Sequence, residues 1–287
     1  MLPSYLLSLR EGLEAALIIG IVLGALQKIH RNDLIPALWF GVLAAIGVSA
    51  LTAIVLTLFG LSLEDGAEQI YEGITMLLAA GVLTWMIFWM SSHAKNIKSE
   101  LEDGVNKAAG TTGKRAIFLL AFIAVVREGV ELALFITAAF FAGSSENIAA
   151  NTILTSTGVV LGLGTSVLLG WSLLAATARL NLKRFFSITG YLLILFAAGL
   201  VAHGIHEFNE IGWIPSIIEH VWDMNAVINE NSFIGELLKT LFGYNGNPSL
   251  TEIIGYFVYL GTAIFFFTRA ALQSPMKKSS QVVQAQA

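Results

Sequence analysis

Two short segments put charge into stretches that are otherwise apolar: "REGLE" at residues 10–14 and "REGVE" at 127–131. On a helix, Arg10 and Glu14 are four residues apart and Glu11 and Glu14 three apart, so these side chains share a face. Arg127, Glu128 and Glu131 repeat the arrangement. Carboxylates are hard oxygen donors, suited to hard or borderline cations and not to soft Cu(I). Two arginines against four glutamates leave an excess of negative charge that a di- or trivalent cation would neutralise. The arginines would then hold carboxylates in place by charge-assisted hydrogen bonds, while Gly12 and Gly129 would let a neighbouring helix approach closely. The alternative is that Arg10–Glu14 and Arg127–Glu131 are ion pairs locking a bundle. That reading needs one acid per base and leaves Glu11 and Glu128 without a task.

The segments that carry these motifs set the fold class. The chain is 56% hydrophobic and 13% charged, against about 25% charged for a soluble domain. Apolar runs of about 20 residues recur, long enough to span a bilayer as helices, and they are too long and continuous for the alternating strands of a β-barrel. The expected fold is an all-α polytopic membrane protein with seven transmembrane helices, near 4–27, 34–60, 68–91, 116–142, 152–178, 185–204 and 252–272. The first run has no basic leading region and is interrupted by Arg10, Glu11 and Glu14, so it reads as a retained span and not as a cleaved signal. Each charge inside a span costs about 2.5–3.5 kcal/mol on an insertion scale, whereas each leucine or isoleucine returns only about 0.3–0.6. Intramembrane charges on that scale face the bundle interior and serve a function. The absence of cysteine excludes disulfides and thiolate metal sites.

Thirteen of the 16 lysines and arginines fall in connections on one side of such a membrane plan. By the positive-inside rule the N-terminus is then outside and the C-terminus cytoplasmic. The motifs are offset by 117 residues, and "GVLAAIGVSAL" from Gly41 matches "GVVLGLGTSVL" from Gly158 at the same offset. "AAG" recurs at Ala79 and Ala197, offset by 118. Three spans duplicated as three imply copies of opposite orientation, an architecture of transporters whose substrate sites lie near the midplane. The expected organisation is a first three-helix repeat over 1–91, a cytoplasmic loop at 92–115 and an inverted three-helix repeat over 116–204. An extracytoplasmic connection with amphipathic segments follows at 205–251, then one extra C-terminal helix at 252–272 and a cytoplasmic tail at 273–287.

Further candidates gather at the outer ends of spans. Glu68 and Glu72 are four apart in "EQIYEGI" and suit an entry site that collects cations, or a solvated helix end. His203, His206, Glu207 and Glu210 share one face, as a vestibule metal site or as a polar helix end, with Glu210 the best single member. Met86 and Met90 read as core packing, and Gly20-x-x-x-Gly24 and Gly158-x-x-x-Gly162 as close helix contacts. No complete phosphate loop is present, and no nucleic-acid partner is expected.

"REGLE" and "REGVE", with "YEGI", "LTWMIFWM", "FNEIG" and "LFGYN", resemble the oxidase-dependent iron permeases, the iron/lead transporter family, and within it the bacterial Efe-system branch. The one departure is Val130 in place of the signature leucine. The resemblance implies a non-enzymatic permease in the bacterial inner membrane, with iron as cargo and no permanently bound cofactor. It implies that Glu11, Glu14, Glu128 and Glu131 bind and pass iron, supported by Arg10 and Arg127, and adds support for Glu72. It also implies partners besides membrane lipid: a periplasmic iron-binding protein and a haem peroxidase, or a multicopper oxidase in eukaryotic relatives. Alternatives are a permease for another divalent metal such as lead or manganese, a cation channel, or an intramembrane carboxylate metal enzyme.

Overall fold

The computed structural model describes residues 1–64, 66–93, 97–111, 113–143, 148–174, 182–225, 227–229, 232, 235, 238–239 and 242–273. Residues 274–287 of the expected tail and much of 226–241, within the expected amphipathic connection, lie outside them. Among the described residues the fold is all-helical, without strands. Its helices are α1 (Leu2–Lys28), α2 (Ile35–Leu61), α3 (Gly66–His93), α4 (Ile97–Thr111), α5 (Lys114–Ala142), α6 (Ile148–Leu174), α7 (Leu182–Glu210) and α8 (Leu250–Gln273).

Five of these helices, α2, α3, α6, α7 and α8, are long and apolar enough to cross a membrane. The exposed face of α2 carries Phe40, Leu43, Leu51, Ile54 and Leu58, and that of α6 carries Ile153, Val160, Val167 and Leu168. A helix that is apolar on its outer face as well as its inner one belongs in lipid. The protein is an integral membrane protein. Helices α1 and α5 have comparable length, 27 and 29 residues, but each carries one of the three-charge motifs.

The packing follows the 117-residue offset. Helix α1 lies along α6 and α2 along α5, while α3 pairs with α7 and α1 also touches α5. A Cβ on Gly41 of α2 would meet Phe118 O, Ala121 and Phe122 of α5; one on Gly158 of α6 would meet Met1 O, Ser4 and Tyr5 of α1. Each residue of the second set sits 117 positions from its counterpart in the first. Gly162 makes a close contact with α1 of the kind its spacing predicts, whereas Gly24 faces open space.

Two apolar layers stack along the bundle. One joins Leu7 of α1 to Met76 and Leu83 of α3, Phe135–Ala142 of α5, Leu193–Leu200 of α7 and Phe267 of α8. The other joins Val22 and Leu26 of α1 to Leu38 and Val42 of α2, Val105 of α4 and Ile117–Val125 of α5. Residues 10–14 and 127–131 lie between these layers along α1 and α5.

Some elements differ from the sequence reading. Residues 97–111, inside the expected cytoplasmic loop, form α4: Leu101, Val105 and Ala108 recur at helical spacing, and the buried Val105 packs into the second layer. Helix α7 runs on to Glu210, not 204, because its polar last turns line a cavity and remain helical. It stops where Gly212 takes φ +73°, with Gly212 N–H donating to Asn209 O and Trp213 N–H to Phe208 O, the left-handed terminus that glycine favours. Within the connection expected to carry amphipathic segments, residues 214–222 are bends and irregular chain, not helix. Pro215 removes a donor there, and Ile217 sits at φ +61°.

Candidate metal site

The central site is built where α1 meets α5. Arg10 is 2% exposed. Its Nη1 donates to Glu11 Oε1 at 3.1 Å and to Met86 Sδ of α3 at 2.8 Å. Its Nη2 lies 3.2 Å from Glu14 Oε1, an ion pair without hydrogen-bond alignment. On α5, Arg127 Nε donates to Glu131 Oε1 at 3.1 Å. The Arg127 guanidinium stands 4.8 Å from the Trp89 ring centre and 5.5 Å from that of Trp85, a cation–π arrangement. Glu128 is buried and pairs with no cation among the described residues.

Carboxylate oxygens of Glu11, Glu128 and Glu131 lie within 4.8 Å of one another. Two oxygens on opposite sides of one ion stand about 4–4.4 Å apart at metal–oxygen distances of about 2.0–2.2 Å, so a small closure would place all three on one cation. Glu11 Oε2 and Glu131 Oε2 are buried without a hydrogen-bond partner. An orphaned buried acceptor costs about 1–3 kcal/mol, and more when charged. A cation in the space between the three carboxyl groups would satisfy these acceptors. Glu14 stands outside this trio, against Arg10.

The backbone approach that sets this geometry is also paired. A Cβ on Gly12 would collide with Ser166 Oγ of α6, and one on Gly129 with Ser49 Oγ of α2. Gly129→Ala is therefore expected to lower stability by about 1–3 kcal/mol through overpacking, with Ser49→Gly recovering part of the loss. Thermal unfolding of the purified variants in detergent measures both.

The second group of candidates shares a cavity of about 590 Å³ at the end of the bundle where α3 begins and α7 ends. Glu68, Glu72, His203, His206, Glu207 and Glu210 all line it, joined by Lys239 and Asn245. Met76, Phe141 and Ala142 close its inner end and belong to the first apolar layer, which separates it from the central carboxylates. His206 lies between two acids: its Nε2 is 3.3 Å from Glu210 Oε1 and its Nδ1 is 3.1 Å from Glu252 Oε1. Glu219, His220 and Asp223 are exposed, and His220 also lines the cavity.

Sequence reasoning missed Glu252 of α8. It is 3% exposed and takes hydrogen bonds from Asn245 Nδ2 at 2.9 Å and Ser249 N–H at 3.0 Å. Its own N–H donates to Ser249 Oγ at 3.2 Å. "SLTE" at 249–252 is a capping-box spacing, a signal that could have marked Glu252 as anchored. Met86, read as packing, is buried and also accepts from Arg10.

Residues 1–278 match the model of the iron permease FTR1 family. The chain is 36% identical to the ferrous iron permease EfeU of Escherichia coli O157:H7 and to that of Shigella sonnei, in each case over 93% of this chain and 95% of the relative. It is 31% identical to the ferrous iron permease EfeU of Yersinia pestis, over 93% of each. No solved structure matches.

Proposed function

The chain belongs to the iron permease FTR1 family, and from that premise we propose that it moves iron cations, ferrous iron as in its named relatives, inward through the carboxylates of the two R-E-G-x-E motifs. The observation that carries this reading is the meeting of Glu11, Glu128 and Glu131 within 4.8 Å, two of them with buried unpartnered oxygens. Neutral side chains or a lone ion pair would fill that space without leaving orphaned acceptors. Glu14 completes the set by holding Arg10, so that this guanidinium is shared and does not cancel Glu11 alone.

In this account α1 and α5 join the other five long helices as membrane spans, with the N-terminus outside. Helices α1–α3 and α5–α7 are the inverted repeats. The reciprocal glycine contacts at offset 117 support that architecture, as does the packing of α1 on α6 and α2 on α5. The cavity lined by Glu68, Glu72, Glu207 and Glu210 is the outer basin where cations collect. The trio then lies between two dry layers. Passage requires one layer to open at a time, by movement of one repeat against the other, and this favours a permease over an open channel. A periplasmic iron-binding protein and a haem peroxidase, as the family resemblance implies, would supply the basin.

The membrane potential favours entry by about 2.3 kcal/mol per charge per 100 mV, so a divalent ion gains about 4.6 kcal/mol without ATP. Proteoliposomes containing the protein are expected to take up radioactive ferrous iron, faster when the interior is made negative. Uptake no faster than into empty liposomes would refute the function.

A further inference from the structure

The basin holds more than a set of acids. His203 lines it, is 6% exposed, and has no hydrogen-bond partner for Nε2. His206 is one helical turn along α7, and its Nε2 stands 3.3 Å from Glu210 Oε1. Two ligands at about 2.0–2.2 Å from one ion in tetrahedral geometry are separated by about 3.4 Å, so this pair already has the spacing of neighbours on a metal. The other ring nitrogen of His206 faces Glu252 Oε1 at 3.1 Å. That carboxylate is fixed in turn by Asn245 and the Ser249 N–H. A buried, anchored carboxylate on the far nitrogen of an imidazole is the arrangement that orients metal-ligating histidines and raises their basicity.

We propose that this basin contains a second cation site, formed by His206 and Glu210 and completed by His203 once its ring turns toward them, in which Glu252 is the positioning residue for His206. The inference deepens the permease reading and rests on it for the identity of the cargo. Its content is a mixed nitrogen and oxygen donor set. Imidazole suits ferrous-type transition ions, whereas calcium and magnesium take all-oxygen sites. The entry site would therefore reject the abundant hard divalent ions before any cation reaches the all-carboxylate trio. It would also tie α8, which lies outside the repeats, to the transport path.

The test uses the full chain in detergent with the central site silenced by Glu11→Gln, Glu128→Gln and Glu131→Gln, and Co2+ as the probe. One Co2+ per chain is expected, with imidazole scattering in its X-ray absorption fine structure, and a 100-fold excess of Ca2+ should leave it bound. His206→Gln should weaken binding at least 10-fold. Glu252→Gln should weaken it by about 10–100-fold and shift the visible Co2+ spectrum. Glutamine still completes the capping box, so loss of the helix terminus would not account for that shift. Absence of Co2+ binding by the silenced protein, bound Co2+ lacking imidazole scattering, or easy displacement by Ca2+ would each overturn the proposal. Because the central site is absent from the silenced protein and its variants, its failure shows separately, as wild-type protein that binds no more Co2+ than the silenced form.

Discussion

Glu128→Gln is expected to lower iron uptake by about 100-fold or more in proteoliposomes, with Glu11→Gln and Glu131→Gln close behind. Glutamine keeps the size and one oxygen, so packing is preserved and the lost quantity is charge. A unit charge pair about 4 Å apart at an effective dielectric near 20 is worth about 4 kcal/mol, and each 1.4 kcal/mol is tenfold in affinity. Glu128 gives the purest effect because it forms no ion pair among the described residues, whereas Glu11 and Glu131 are each held by one arginine. Glu14→Gln is expected to cost clearly less. Its carboxylate lies beside Arg10 and outside the trio, so its loss changes the charge around the trio without removing one of its members. Equal, near-wild-type uptake in all four variants would remove the motifs from the transport path.

Arg10→Leu is expected to destabilise the protein by about 3–5 kcal/mol, the usual consequence of removing one partner from a buried ion pair. Arg10 serves two acids and donates to Met86 as well. Without it, Glu11 and Glu14 remain buried as neighbouring uncompensated carboxylates. Arg10→Lys should not restore stability, since one ammonium lacks the planar fork that reaches both acids at once. Combining Arg10→Leu with Glu11→Gln and Glu14→Gln should recover much of the loss, because the stranded charge is gone. Arg127→Leu is expected to be milder: its side chain is 39% exposed and, among the described residues, Glu131 is the one acid it pairs with, beside the rings of Trp85 and Trp89. Thermal unfolding midpoints in detergent rank these variants, and a neutral Arg10→Leu would contradict the buried network.

The centre of the protein was legible in the sequence because charge inside an apolar helix is costly and therefore conspicuous. "REGLE" and "REGVE" announced themselves, and the constant offset of 117 tied Gly41 to Gly158 before any contact was known. The surface-facing elements were harder to read, because there the same polarity signals both solvent and structure. Helix α4 looked like a charged loop, since Lys98, Glu100, Glu102, Asp103 and Lys107 masked the spacing of Leu101, Val105 and Ala108. The polar end of α7 lowered the apparent hydropathy after residue 204, yet those residues continue the helix and line the basin. The division of labour among the acids was not legible at all. Spacing places Glu11 and Glu14 on one face, but only the packing of α1 against α5 decides that Glu11 meets Glu128 and Glu131 as well as Arg10, while Glu14 pairs with Arg10 alone among the described residues. Glu252 sits 46 residues from His206 in sequence, and its neighbour Thr251 sits 42 from its partner Asn209, and nothing local to "SLTE" points to α7.

Anomalous diffraction at the iron absorption edge, from crystals grown in lipid and soaked anaerobically with ferrous iron, tests the central claim most directly. The account predicts an iron peak bounded by Glu11, Glu128 and Glu131, at about 2.0–2.2 Å from an oxygen of each. Iron bound in the protein with no peak among those three carboxylates would contradict it.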